Sequence, residues 1–529
     1  MYKFRESFNA QDLAAEECYC SYETLVVELA RVMNEIHNEE RSVRYWEHLL
    51  GAYILWSLQV VYERYVFVIK GGQYDEKASS FLDVPLDTQH LVKLASESES
   101  WNAALLSYIG LLNRGESLPK SSRIVGWVWR TNKHLGLESI NIKKYLMLLL
   151  KGLRRPEVLV NVHTLNVRQR LSLYVYSLGR IFPWLYSELD REEIDYYVWN
   201  DKRAVISSMS WNNGFERIYC SILAEIIPAM YIEGYGGYIA NVKVDSQLTS
   251  VRKIVSDVGW YYSDDFKLLC ARSPGVCFVG VQHGGGYGIR LVNSSEFFEK
   301  RITDRYITWG WSEDFTDVPL SAPRLMCQCS NVSGNPGGVL LVTSALWKYP
   351  YFLDSVPTGG DHDRILERNM ELYSRLVKDN EVVVRLHPQS KVWGEMGVWK
   401  DKFPSLILDG ENKLCNSVSN YSLIIIDNMN TATLELLANN VPSILYWDRG
   451  EYPFRSSNEY IYHALLENKI LIHDLNVLLE HVQKISNDID GWWMSDGVQY
   501  ARNLFVRKHA RTSKNWCSEW LIELLADNE

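Results

Sequence analysis

The sequence predicts an α/β protein built on a parallel, doubly wound sheet, and three stretches predict it. After residue 338, short apolar runs alternate with helical patterns, as strand–helix–strand units do. Glu381-Val-Val-Val-Arg-Leu-His-Pro-Gln389 is an apolar, β-branched run with no alternation, the pattern of a strand buried on both faces. Pro274 to Val281 is a second apolar run, and it ends in Gln282-His-Gly-Gly-Gly-Tyr-Gly288.

The totals bound the class. At roughly 100–200 residues per domain, 529 residues make two or three domains. Hydrophobic content of 47% and charged content of 23% belong to an ordinary globular chain. A formal net charge of -10 argues against nucleic acid as a partner, because that binding rests on basic surface. The 19 Trp and 32 Tyr suit either sugar stacking or a large aromatic core. Among nine Cys, Cys18-Tyr-Cys20 and Cys327-Gln-Cys329 are too closely spaced for zinc ligand pairs, so reduced thiols in the cytoplasm are expected. Met1-Tyr-Lys-Phe-Arg-Glu-Ser7 has no signal-peptide core, and no apolar run approaches the ~20 residues that span a bilayer.

In chain order, residues 22–70 are helical, with Leu25, Leu29, Val32 and Met33 at helix spacing and Trp46, Leu49, Leu50, Tyr53 and Leu55 forming a second apolar set. Residues 71–155 form an irregular, mostly helical insertion, with a loop at Ala95–Ser100, a turn at Gly126-Trp-Val-Trp129 and a leucine helix at Tyr145–Leu153. Glu157–Val162 predicts a strand, Leu171–Leu185 continues apolar, Phe215–Ile232 predicts a helix interrupted by Pro228, and Gly234-Tyr-Gly-Gly237 breaks the pattern. Residues 327–338 are the expected domain boundary. Beyond it come strands at Val339–Thr343, Glu381–Pro388, Leu406–Leu408, Leu423–Asp427 and Ser443–Trp447, with helices at Arg364–Lys378 and Thr431–Asn439.

These elements place chemistry at strand ends, where open α/β sheets bind ligands. Arg385 and His387 stand at the carboxyl end of one strand. Asp427-Asn-Met-Asn-Thr-Ala-Thr-Leu-Glu435 runs from a second strand into a helix, whose free N–H groups suit phosphate. A capping-box acid would fall at 433 or 434, so Glu435 is a candidate for ribose. Lys348 follows the Val339–Thr343 strand and Asn428 precedes the helix, adding a cation and an amide to the same crevice. No clustered carboxylates accompany these residues to hold Mg²⁺, so fixed cations and helix amides are expected to stabilise the leaving phosphate without metal or cofactor. Gly284, Gly285 and Gly286 let backbone approach a ligand closely, and no Gly-Lys-Ser/Thr follows them as in a P-loop. His283, with an ordinary pKa near 6.5, can take a proton from a hydroxyl nucleophile; Glu233, Glu296 and Asp304 are rival bases.

Val281-Gln-His-Gly-Gly-Gly-Tyr-Gly288, Asp304-Arg-Tyr306, Trp309-Gly-Trp311, Arg385-Leu-His-Pro388, Thr431-Ala-Thr-Leu-Glu435 and Trp492-Trp493 with Gln499 and Phe505 resemble a family of transferases encoded among bacterial surface-polysaccharide genes. Asn34-x-x-His37, Tyr45-Trp46 and Tyr62-Glu-Arg64 are similar too, so the resemblance spans nearly the whole chain. More distantly, the His-Pro strand and the Thr/Glu helix resemble GT-B transferases with cytidine-activated donors: Kdo transferases of capsule assembly, bacterial sialyltransferases and CDP-glycerol polymerases. The resemblance implies a GT-B-like α/β fold, two Rossmann-like domains facing across a cleft, with a helical N-terminal elaboration (about 1–155) and a C-terminal crossover helix. The implied division is 1–330 on the acceptor side, 331–490 on the donor side and 491–529 packing back.

It further implies that Arg385 and His387 hold the donor phosphate, that Thr431, Thr433 and Glu435 hold phosphate and ribose, and that His283 matches the His-Gly base of the glycerophosphate enzymes. The acidic base motif of the sialyltransferases is not evident; Asp409-Gly410 lies in the wrong half. The expected activity is transfer of a Kdo-like or nonulosonic sugar from a CMP donor to a glycan or lipid-linked glycan acceptor. Alternatives are a CDP-polyol phosphotransferase, a UDP- or GDP-sugar glycosyltransferase, and a degenerate sugar-binding scaffold. The expected location is the cytoplasm, including peripheral association with the inner face of its membrane.

Overall fold

The computed structural model describes residues 8–75, 82–85, 87–118, 124–128, 155–184, 193–197, 200–209, 214–241, 250–326, 337–344, 346–410 and 413–526. The helix expected at Tyr145–Leu153, Trp129 and most of the 327–338 boundary lie outside these residues. Two helices open the described chain, α1 (Phe8–His37) and α2 (Val43–Ile69). Fourteen strands follow in chain order among the described residues. β1 (Ile124–Val128) and β4 (Glu193–Tyr197) pair antiparallel as a separate ribbon, so Gly126-Trp-Val128 is strand rather than turn.

The first sheet has the order β3-β2-β5-β6-β7-β8 and is parallel throughout. Its strands are β2 (Val158–Asn161), β3 (Ile181–Pro183), β5 (Lys253–Ser256), β6 (Cys277–Val281), β7 (Arg305–Thr308) and β8 (Asp317–Pro319). Alternation of period two sends Val158, Val160, Val255, Val279, Val281 and Ile307 to one face. Leu159, Ile254 and Phe278 go to the other face, into a core shared with α1 and α2. Trp516, Trp520 and Leu524 of the last helix (Trp516–Leu525) cover the first face. The preceding helix (Asp496–His509) instead packs Val498, Ala501 and Phe505 into the core of the second sheet. The chain end therefore crosses from one sheet to the other between these helices.

The second sheet has the order β11-β10-β9-β12-β13-β14, also parallel. It comprises β9 (Val339–Val342), β10 (Val382–Arg385), β11 (Ile407–Leu408), β12 (Leu423–Ile426), β13 (Ser443–Tyr446) and β14 (Leu471–Ile472). All four residues of β9 and of β12 are buried, as a strand covered by helices on both faces requires. The chain leaves β9 toward β10 and β11, then returns to β12 on the other side. The order thus reverses between β9 and β12, and a crevice opens at their carboxyl ends. Two parallel sheets, the helical N-terminal layer and the crossing C-terminal helix make the GT-B-like architecture.

Some local readings were overturned. Ala95–Ser100 is the junction of two helices, Thr88–Glu97 and Glu99–Asn113, with Ser98 as the cap of the second. At Gly234-Tyr-Gly-Gly237 the helix Ala229–Ile232 does end, as expected, but a new helix, Tyr235–Asn241, starts at once with Tyr235 and Tyr238 buried. Aromatic burial outweighs the cost of glycine in a helix.

Candidate functional site

The first half of the site stands at the carboxyl end of β6. Gln282 is fully buried, and its Oε1 accepts from Trp309 N at 3.0 Å and from Trp311 Nε1 at 2.9 Å. Its Nε2 donates to Gly284 O at 2.9 Å, which fixes the start of the glycine turn. Gly288 has φ of +64°, and a Cβ there would lie 2.5 Å from the Trp311 ring. The turn is closed by Glu296, whose Oε2 accepts from Gly288 N at 2.9 Å and whose Oε1 accepts from Arg455 Nη2 at 2.9 Å.

His283 is part-exposed and faces a buried carboxylate, with Nδ1 3.2 Å from Glu299 Oε1. Glu299 belongs to the helix Ser294–Ile302. Its Oε1 also accepts from Tyr261 at 2.8 Å and Tyr287 at 3.0 Å, and its Oε2 accepts from Tyr306 at 2.6 Å. Burial, then the charge of Glu299, pushes all three phenols well above their ordinary pKa, so they remain donors. Burial opposes the protonation of His283, but Glu299 and Asp257 outweigh it, and the imidazole pKa is raised.

The second half stands at the switch between β9 and β12. Asp427 is buried at the end of β12; it accepts from Ser344 N at 2.6 Å through Oδ1 and from Asn369 Nδ2 at 2.6 Å through Oδ2. Around it, Ser344 Oγ, Asn369 Oδ1 and Asn428 Oδ1 are buried without a hydrogen-bond partner. Asn430 caps the helix Thr431–Ala438 by accepting from Ala432 N at 2.8 Å.

The two halves touch. Gly285 N donates to Thr431 Oγ1 at 3.0 Å. A Cβ on Gly285 would lie 2.3 Å from Asn430 C and 2.5 Å from Thr431 N, so only glycine allows this approach. Arg290 lies in the same junction, 3.5 Å from Asp354 Oδ2 and from Met429 O, with Nε buried and unpartnered. Below it, Leu291 N donates to Pro453 O at 3.2 Å and Arg455 N to Ile289 O at 2.9 Å.

The other expected residues are placed as follows. Arg385 pairs with Asp409 and reaches Ser417 Oγ at 3.3 Å, so its charge is matched within its own sheet. His387 is exposed to solvent on the turn after β10, yet the protein packed around the turn desolvates its ring enough to lower its pKa, with Arg385 adding to this and Asp427 opposing it. Lys348 pairs with Glu99 of the helical layer rather than standing in the crevice. Thr433 is buried and donates to Asn428 O at 2.6 Å, which spends its hydroxyl on its own chain. Glu435 is half-buried; burial raises its pKa and Arg324 opposes that.

Two expected bases are corrected. Glu233 is locked with Arg203 in a buried two-point pair at 2.8 and 3.0 Å, which leaves it no free oxygen for a proton. Asp304 immediately precedes β7, at the amino end of the sheet, where it accepts from Arg44 Nη2 at 2.9 Å and from Phe278 N at 2.8 Å. Glu296, the third rival, is spent on Gly288 and Arg455. An Asp-x-Asp occurs at Asp361-His-Asp363, but Asp361 accepts from Thr358 and Arg364, and Asp363 faces the His362 ring. Among the described residues no group of three or more His, Cys, Asp or Glu is arranged to hold a metal ion.

Glu299 and Arg290 went unnoticed in the sequence. Arg290 could have been found as the cation just past the glycine turn; Glu299, mid-helix, has no local signal.

Two parallel sheets meet at their carboxyl edges, with a histidine on one and a capped helix on the other. The chain belongs to the LIC12162 family transferases, whose model matches residues 2–524. No curated protein matches. Solved structures it is similar to include the wall teichoic acid polymerase TagF, at 9% identity and a TM-score of 0.31, covering 73% of this chain and 92% of that one. Another is S. aureus MnaA with UDP, at 9% identity and a TM-score of 0.39, covering 70% and 99%. A third is Acinetobacter baumannii MurG, at 10% identity and a TM-score of 0.35, also covering 70% and 99%. At these scores the likeness says nothing about the ligand. No helix among the described residues is long and apolar enough to cross a membrane.

Proposed function

We propose that this transferase moves a sugar of the Kdo or nonulosonic class from a CMP-activated donor to a glycan acceptor in surface-polysaccharide assembly. The observation that carries it is the Gly285–Thr431 contact, which brings a carboxylate-paired histidine to the amino end of a helix at the switch of a doubly wound sheet. In this reading the donor phosphate lies against the first-turn amides and hydroxyl of Thr431, with Arg290 as the cation. Arg385 takes part only by exchanging Asp409 for phosphate, with His387 beside it. Asn428 and Glu435 face the nucleoside, and His283 accepts the proton of the attacking hydroxyl.

A second reading, transfer of a polyol phosphate from a CDP donor, is favoured by one observation. The base left free is a histidine, while the carboxylates Glu233 and Asp304 are engaged elsewhere.

Thermal melting with CMP, CDP, UDP and GDP tests the donor class, since a ligand that binds only the folded state raises the melting temperature. Stabilisation by CMP or CDP is expected. Stabilisation by UDP or GDP alone removes the cytidine assignment. Product analysis then separates the two cytidine readings, because phosphate travels with the polyol but stays on the nucleotide when a sugar moves.

A further inference from the structure

Glu299 is fully buried and has four neighbours from three separate segments. Tyr261 lies beyond β5, His283 and Tyr287 flank the glycine turn, and Tyr306 is in β7. The three phenols already supply the donors that a buried carboxylate requires. The fourth neighbour, a part-exposed histidine at the carboxyl edge of the sheet, is not needed to satisfy it.

We propose that Glu299 is the positioning residue of the base, accepting the Nδ1 proton of His283 and holding Nε2 free to receive a proton. The inference rests on the reading of His283 as the base. As the acceptor hydroxyl oxygen bonds to the anomeric carbon, its proton passes to Nε2. The bond from that carbon to the donor phosphate oxygen breaks, and its electron pair leaves with the phosphate. Glu299 keeps its charge throughout and stabilises the imidazolium, as a carboxylate does behind a catalytic histidine. The tyrosines fix the carboxylate from both sides. The Tyr287 hydroxyl sits 3.1 Å from Nδ1 and 3.3 Å from Nε2, and because it donates to Glu299 it can only accept from the ring. Asp257 at the end of β5 and Arg324 are the other charges acting on the imidazole, with opposite signs.

The test is a ring-carbon NMR titration of the full-length protein labelled at its 12 histidines, with the His283 signal identified by its loss in His283→Gln. The wild-type midpoint is expected above the ordinary value of about 6.5, and Glu299→Gln is expected to lower it by about one unit or more, a tenfold change in proton affinity. Glu299→Asp restores part of the shift. An unchanged midpoint in folded Glu299→Gln overturns the proposal. Should that variant not fold, Tyr306→Phe decides: it keeps the charge and removes a donor, so a raised midpoint supports the pairing and an unchanged or lowered one overturns it. No substrate enters this titration, so its failure leaves the nucleotide assignment standing, and a failed nucleotide panel leaves the pairing standing.

Discussion

Gln282 decides where His283 can point. Its amide is tied to Trp309, Trp311 and Gly284, so the turn leaves β6 in one direction. On the proposed role of His283 as the base, His283→Ala is expected to leave the fold intact and cut turnover by roughly 10²–10⁴-fold, the usual worth of general base catalysis, read as initial rate against melting temperature. The raised pKa of His283 also fixes two signs. With His283 as the proposed base, turnover is expected to fall as the pH drops through that value, because the base must be unprotonated. The stability contributed by the His283–Glu299 pair runs the other way: it is present below the unfolded value of about 6.5 and lost as pH rises through the folded one. At the junction, Gly285→Ala forces a methyl group onto the Asn430–Thr431 backbone. Overpacking of this kind costs about 1–3 kcal/mol, measurable by urea unfolding, and here it is expected to lower nucleotide affinity as well.

Among the elements, α2 carries the plainest pH liability. His48 is buried on it with both ring nitrogens unpartnered, and burial first, then Arg44, lowers its pKa to about 3. The unfolded chain binds that proton more readily, so stability rises with pH between about 3 and the ordinary 6.5. At pH 5 this one group is expected to cost about 2 kcal/mol relative to neutral pH, and His48→Leu should flatten the acid limb of a stability–pH curve. Strands differed in how plainly they showed. Val339–Val342, Val382–Arg385 and Leu423–Ile426 are apolar runs bounded by polar turns, and pattern alone finds them. Lys253–Ser256 and Arg305–Thr308 are four residues long with polar ends, and only pairing to β6 on both sides makes them strands.

At the scale of the whole molecule, buried links stitch the helical layer to the second sheet. Arg64 is fully buried on α2, bonded to Glu63 at 2.8 Å, Ala95 O at 3.0 Å, Asn102 at 2.8 Å and the carbonyl of Pro350 beyond β9. Arg64→Ala removes the guanidinium that meets Glu63 and three further buried acceptors, and a loss of about 3–5 kcal/mol in unfolding free energy is expected. The crossing end is equally exacting. Trp520→Ala opens a cavity against the first sheet, and about 3–5 kcal/mol of destabilisation should appear in denaturant titration.

The sequence by itself determined the parallel sheet after residue 338, the glycine turn and a helix opening at Asn430 or Thr431. These follow from periodicity and turn chemistry, which act over a few residues. Which side chains remain free for chemistry was decided by tertiary structure. Arg385, Lys348, Glu233 and Asp304 have the right charge for their expected roles, yet each is met by a partner between 24 and 260 residues away. Glu299 and Arg290 come forward for the same reason. Ion pairs and hydrogen bonds depend on distance in space and are blind to separation along the chain, so neutralised charges and available ones look alike until the chain is folded.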